Sequence, residues 1–290
     1  MNLKLRSRND SFDSLHEETV LPLEDIPKDL CRSLKGVFSD IDDTITTDGS
    51  LSGAAYSAIE ELSSIGIKFV PITGRPAGWC DMIARFWPVD GVIGENGAFY
   101  FAYDRKNKKM IRRYMQDEKE RLKGRMKLEV IGKKILSKVQ GSAIASDQFS
   151  RISDLAIDFC EDVPALSSEK IDKIAEIFRA EGATAKISSI HVNAWFGNYS
   201  KLEMTKIFVR EIFKLDLDQD KNSFIFCGDS PNDEPLFQYF PSSLGVANVR
   251  DFISSLTYLP TYISTSRGGD GFVEICNKLL DKKIKSPESA

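Results

Sequence analysis

Histidine and cysteine, the usual side chains of transition-metal sites and of nucleophilic hydrolases, are scarce in this chain of 290 residues: there are two histidines and five cysteines. Cys31, Cys80, Cys160, Cys227 and Cys276 are scattered, odd in number and form no C-x-x-C pair. That spacing excludes a zinc site and a disulfide framework, and predicts reduced, buried thiols. His16 and His191 are too far apart for a histidine-rich metal site, and no G-x-S-x-G turn is present to build a Ser-His-Asp triad. Long apolar runs are also lacking. None approaches the ~20 residues needed to span a bilayer, and the N-terminal stretch MNLKLRSRNDSFDSLHEE has no apolar core of signal-peptide length. Both absences predict a cytoplasmic protein with no membrane partner. A net charge of −4 gives no electrostatic case for nucleic acid, whose binding rests on neutralising many phosphates.

What is present is an ordinary globular composition, 42% hydrophobic and 28% charged, at a length that holds one large or two moderate domains. Residues 1–33 are polar and broken by Pro22 and Pro27, and read as an N-terminal tail or loosely docked arm. From Gly36 the chain alternates between short continuous apolar runs and amphipathic stretches. Strands are expected at 36–39, 67–72 and 91–94, and helices at 52–66 and 77–87, a rhythm that predicts a parallel α/β sheet. Beyond Phe99 the pattern becomes α+β: a hairpin over 99–114, a charged helix over 116–140, a strand at 155–159, a helix over 168–181 and a strand over 185–195. The parallel pattern then resumes, with a helix at 201–213, strands at 224–227 and 243–246, and helices at 234–239 and 271–280. The chain thus reads as an α/β core, 34–100 and 198–282, interrupted by an insert at 101–197 and followed by a tail at 283–290.

Ligands of open parallel sheets gather at the carboxyl ends of strands. The first strand runs into Asp40-Ile41-Asp42-Asp43, which crowds negative charge where only a cation or a positive environment makes it tolerable. Other expected strand ends carry Thr73, Asn96, and Asp229 with Asp233, while Lys201 opens the helix after the insert. Oxygen ligands beside a phosphate partner suit Mg²⁺, which binds through a few carboxylates, waters and substrate oxygens. A calcium-binding EF-hand is excluded: counting from Asp40, its sixth and twelfth positions are Ile45 and Leu51 instead of Gly and Glu.

Four segments in order, D-x-D-x-T at Asp40 to Thr44, Thr73-Gly74-Arg75, Lys201, and GDSPND at Gly228 to Asp233, resemble the motifs of the haloacid dehalogenase superfamily. Asp42 resembles the mark of its phosphatase and phosphotransferase branch. The insert between the second and third motifs, with IGENGA before it and RGGDGF near the end, resembles subfamily IIB, which holds sucrose-phosphate, mannosylglycerate-phosphate and trehalose-phosphate phosphatases. The resemblance implies a doubly wound parallel-sheet core with an inserted α+β cap, and a Mg²⁺-dependent phosphatase of a small phosphorylated metabolite, foremost a sugar phosphate. By the same resemblance Asp40 is the nucleophile and Asp42 the general acid and base. Thr73, Gly74 and Lys201 hold the phosphoryl group. Asp40, Asp42 (through its backbone carbonyl) and Asp229 bind the metal, supported by Asp233 and Asn232. Arg75 and Asn96 stand near the substrate by that resemblance, Asn193 is a substrate-binding candidate from its place on the last strand before Lys201, and Asp43 receives no role. His191, two residues before Asn193, is a weaker candidate on the same strand face, and the basic stretch Arg105 to Lys138 reads as a solvated helix face. Two other readings stay open at this point: a phosphomutase of similar cap type, and a receiver-like phosphoacceptor without turnover.

Overall fold

The computed structural model describes residues 20–284. The chain divides into two compact units, one drawn from Met1–Lys68 with Gln219–Ala290, the other Phe69–Asp218. In the first unit Leu21–Pro22, Tyr262–Ile263, Leu244–Gly245, Phe224–Gly228 and Gly36–Ser39 lie side by side in that order, every pair parallel. The Gly36–Ser39 and Phe224–Gly228 strands are buried throughout, as continuous apolar runs in parallel sheets require. Between them Phe38 stacks on Phe224, with ring centroids 5.5 Å apart. The helix Gly53–Ser64 starts where Ser52 accepts the Ala55 amide, as its sequence position predicts, and packs with the helix Gly268–Ile284.

Two differences from expectation arise here. Residues 1–19 of the expected N-terminal arm, and 285–290 of the expected tail, lie outside the described residues. Residues 20–33, however, contribute the edge strand Leu21–Pro22 and the helix Lys28–Ser33, with Leu23, Ile26 and Cys31 fully buried. Three well-spaced apolar side chains suffice to dock a segment that reads as polar on average. The strand Tyr262–Ile263 has only two residues and no visible periodicity, so it escapes any pattern test.

The second unit opens with the strand end Phe69–Pro71 and the helix Ala77–Phe86, then an antiparallel sheet of Val92–Gly94, Phe99–Asp104 and Lys109–Tyr114. A further antiparallel sheet runs Ala143–Ile144, Leu155–Asp158, His191–Trp195, Thr184–Ile187. The single strand expected over 185–195 is instead this last hairpin, turned at Ser188, whose hydroxyl accepts the Ile190 and His191 amides. Serine in that role competes with the ladder and ends the first strand. The helices Glu118–Lys138 and Ser168–Ala180 cover one sheet face, where Leu155, Ile157, Val192 and Ala194 meet Leu128, Ile131, Ile174 and Phe178. The pleat sends Ala156, Asp158, His191, Asn193 and Trp195 to the opposite face. All five are buried, and three of them, Asp158, His191 and Asn193, are polar. Among the described residues, no helix is long and apolar enough to cross a membrane.

Candidate active site

In the first unit the parallel register sets Ser39 beside Cys227, and the Asp40 amide donates to the Cys227 carbonyl at 2.9 Å. Asp40 and Asp229 therefore leave neighbouring strands at the same level. The chain then tightens: the Ile41 carbonyl accepts the amides of Thr44, Ile45 and Thr46, and Asp43 takes a φ of 56°. This turn leaves Asp42 and Asp43 half-buried and sends Thr44 back, where its hydroxyl donates to Asp229 Oδ1 at 2.9 Å. Asp233 caps the turn from the other side, one carboxylate oxygen accepting the Asp229 amide at 3.1 Å and the Ser230 amide at 3.4 Å. Asn232 accepts the Ser230 hydroxyl.

The result is a group of three buried carboxylates, Asp40, Asp229 and Asp233, each with an oxygen within 4.8 Å of the others. Burial, reinforced by the charges of Asp233 and Asp40, pushes the Asp229 carboxyl well above its ordinary range. Its Oδ2 has no hydrogen-bond partner. A buried acceptor left without a donor among like charges is suited to a cation, and the all-oxygen donor set fits a hard divalent ion such as Mg²⁺.

In the second unit the strand end Phe69–Pro71 leads to the turn at Thr73, Gly74 and Arg75. The Thr73 amide donates to Ile93 O, the Asn96 amide to Thr73 O, and the Glu95 amide to Arg75 O. Thr73 is fully buried, and its hydroxyl accepts the Arg75 amide at 2.9 Å. Three of the expected residues converge here: a Cβ on Gly74 would lie 3.2 Å from Asn96 Nδ2 and 3.5 Å from Asn193 Oδ1. Asn96 sits at φ 56° with Nδ2 buried and unpartnered. Gly97 follows at φ +101°, where a Cβ would fall 2.1 Å from the Ser200 carbonyl. Only glycine permits that approach, and it brings the loop against the start of the helix Lys201–Phe208. Lys201 is the first residue of that helix and is buried, with Ser200 capping through the Glu203 amide.

Arg75 is committed elsewhere. Its guanidinium reaches both oxygens of Glu161, at 2.6 and 3.2 Å, touches Asp147 at 3.5 Å, and lies over the Trp79 ring. His191 Nε2 is 2.9 Å from the same Glu161. Burial alone would raise the Glu161 carboxyl, but the hydrogen bonds and charges of His191 and Arg75 hold it down to about 2.

The motifs leave out several residues that the structure brings into this neighbourhood. Glu95 is fully buried and accepts four backbone amides, those of Ala77, Ile152, Ser153 and Asp154. Arg151 is fully buried between Asp147 and Asp154, and Asp154 also accepts Asn193 Nδ2. Glu95 adjoins Asn96 in the IGENGA segment and could have been suspected from that position. Arg151, Asp154 and Glu161 stand in no motif, and their roles emerge only from the three-dimensional pairing.

Residues 37–128 match the model of the haloacid dehalogenase-like hydrolase family. No curated protein sequence matches the chain. Solved structures do. The Thermoplasma acidophilum protein 0175 shares 17% identity, covers 85% of this chain and 98% of its own, and superposes with a TM-score of 0.63. The sucrose-phosphatase of Synechocystis sp. PCC6803, solved with sucrose and phosphate, shares 16% over 86% of this chain and 98% of its own at a TM-score of 0.58. The haloalkanoate-superfamily phosphatase BT1666 of Bacteroides thetaiotaomicron shares 17% over 85% and 95% at 0.56. The chain resembles the haloacid dehalogenase-like hydrolases in sequence over residues 37–128, and it carries their mixed α/β fold around a parallel sheet.

Proposed function

We propose that this protein is a phosphatase that hydrolyses a small phosphorylated metabolite, a sugar phosphate foremost, by way of a phosphoryl group carried on Asp40. The observation that carries the reading is the buried triad Asp40, Asp229 and Asp233 with its unpartnered Asp229 oxygen. The proposed Mg²⁺ would be held by Asp40, by the Asp42 backbone carbonyl and by Asp229, with Asp233 and Asn232 bracing that set. When bound, it supplies positive charge that lets an anionic nucleophile meet an anionic phosphate.

The remaining roles belong to the chain itself. Asp40 attacks phosphorus and displaces the alkoxide. Asp42 protonates the leaving oxygen and then takes a proton from the water that cleaves the aspartyl phosphate. Thr73, the Gly74 backbone and Lys201 hold the phosphoryl oxygens. Asn96 and Asn193, whose amides converge on Gly74, offer hydrogen bonds to a polyhydroxyl substrate. The structural neighbours described as sugar phosphatases support that substrate class. In this reading the core is 34–100 with 198–282, the cap is 101–197, and the enzyme works in the cytoplasm.

The test is phosphate release from a panel of sugar phosphates with Mg²⁺, comparing the wild type with Asp40→Asn. Turnover should require Mg²⁺ and vanish in the variant while its circular dichroism and melting temperature persist. A turning-over Asp40→Asn protein would refute the nucleophile.

A further inference from the structure

We infer that Arg151 is a positioning residue for the phosphoryl-binding turn and acts through the Thr73 hydroxyl, an inference that rests on the phosphatase reading above. The turn has three carbonyls to hold. Those of Thr73 and Arg75 are held by backbone amides, of Asn96 and Glu95. The middle one, Gly74 O, is held by a side chain from elsewhere in the sequence: Arg151 donates to it through Nη1 at 2.8 Å. Arg151 has no other freedom. Its Nε and Nη2 are on Asp147 at 3.0 and 3.3 Å, and Nη1 is also 3.1 Å from each Asp154 oxygen. The guanidinium is completely buried, and Asp154 is itself fixed by the Asn193 amide.

The carbonyl that Arg151 grips shares a peptide plane with the Arg75 amide, and that amide donates to Thr73 Oγ1 at 2.9 Å. Clamping one end of the peptide therefore fixes the other. A buried cation on the carbonyl also polarises the peptide and strengthens its N–H as a donor. With one lone pair of the Thr73 oxygen taken by the Arg75 amide, the oxygen is held in place and its hydrogen remains to be donated to a ligand. Arg151 thus orients the group that meets the phosphoryl oxygen without touching it. Lysine at this place could still reach one acceptor. It has no planar fork to span Asp147, Asp154 and the Gly74 carbonyl together.

The experiment is a double-mutant cycle on the full chain, using p-nitrophenyl phosphate with Mg²⁺ as the probe reaction. Arg151→Lys should lower kcat/KM by roughly tenfold in the wild-type background. In a Thr73→Ala background the same change should cost less than about twofold, because the group it positions is gone. Equal losses in both backgrounds, or no loss in the wild type, would overturn the assignment. If Arg151→Lys does not fold, Asp154→Asn takes its place in the same cycle. That variant keeps the guanidinium but loosens its anchor, and the same non-additivity is expected. An additive cycle in a protein whose Mg²⁺-dependent turnover is abolished by Asp40→Asn removes only the Arg151 role. A wild type without Mg²⁺-dependent turnover removes the phosphatase reading and this inference together.

Discussion

Glu161 shows how single side chains here are held by their partners more than by solvent. Its two oxygens serve Arg75 and His191, and Asp158 builds the turn beneath it by accepting the Cys160, Glu161 and Asp162 amides. A carboxyl lowered from 4.5 to about 2 stabilises the folded state above pH 4.5, and that contribution disappears as pH falls toward 2. At 1.36 kcal/mol per unit the effect is on the order of 3 kcal/mol. Glu161→Gln should therefore be less stable than the wild type at pH 7, and the gap should narrow by more than half by pH 3. Urea unfolding of both proteins at the two pH values measures this. A gap unchanged by acid would show that Glu161 contributes by packing alone. The sequence offered Arg75 as a neighbour of the substrate. Its acidic partner could not be read there, because Glu161 lies 86 residues away and in no motif.

At the scale of elements, the loop after the strand Val92–Gly94 does the work of a clamp. Glu95 gathers the amide that starts the helix Ala77–Phe86 and three successive amides at 152–154, so one carboxyl ties together three segments distant in sequence. Burial and the Asp154 charge push that carboxyl upward, while Arg151 and the amides oppose them. Both oxygens face N–H donors on two sides, so the amide nitrogen of glutamine would confront donors in place of an acceptor. We expect Glu95→Gln to cost about 2–4 kcal/mol, the loss of two buried hydrogen bonds with their donors stranded. A melting temperature within error of the wild type would contradict the clamp. Legibility in the sequence follows the same division. The parallel strands Gly36–Ser39 and Phe224–Gly228, the Ser52 cap and the hairpin over 99–114 were readable because local periodicity and capping dictate them, whereas the strand expected at 91–94 in the parallel rhythm pairs antiparallel with Phe99–Asp104. The Ser188 hairpin and the short strand Tyr262–Ile263 were not, since a hydroxyl turn and a two-residue pairing leave no periodic trace. The candidate site was legible to the extent that chemistry sits in short motifs, as at Asp40 and Asp229. The network of Glu95, Arg151, Asp154 and Glu161 was hidden because it is assembled by pairing across long separations.

At the scale of the whole molecule, the acidic triad and the tryptophans fall in different units, and this makes cooperativity measurable. Asp40, Asp229 and Asp233 belong to the first unit, whereas Trp79, Trp87 and Trp195, all the tryptophans of the chain, belong to the second. A divalent ion that binds the folded triad stabilises that unit by RT ln(1 + [L]/Kd), about 2.7 kcal/mol at a hundredfold excess over Kd. Mg²⁺ should therefore raise the thermal midpoint of the first unit, followed by circular dichroism, while tryptophan fluorescence reports on the second unit by itself. Asp229→Asn should abolish the Mg²⁺ increment. It should also melt higher than the wild type in EDTA, because the amide removes a carboxyl whose ionisation burial, Asp233 and Asp40 all disfavour, while its oxygen still accepts the Thr44 hydroxyl. A fluorescence midpoint indifferent to Mg²⁺, beside a dichroism trace that splits in two, would show that the units melt independently. An Asp229→Asn protein that retained the increment would show that the ion is held by other groups.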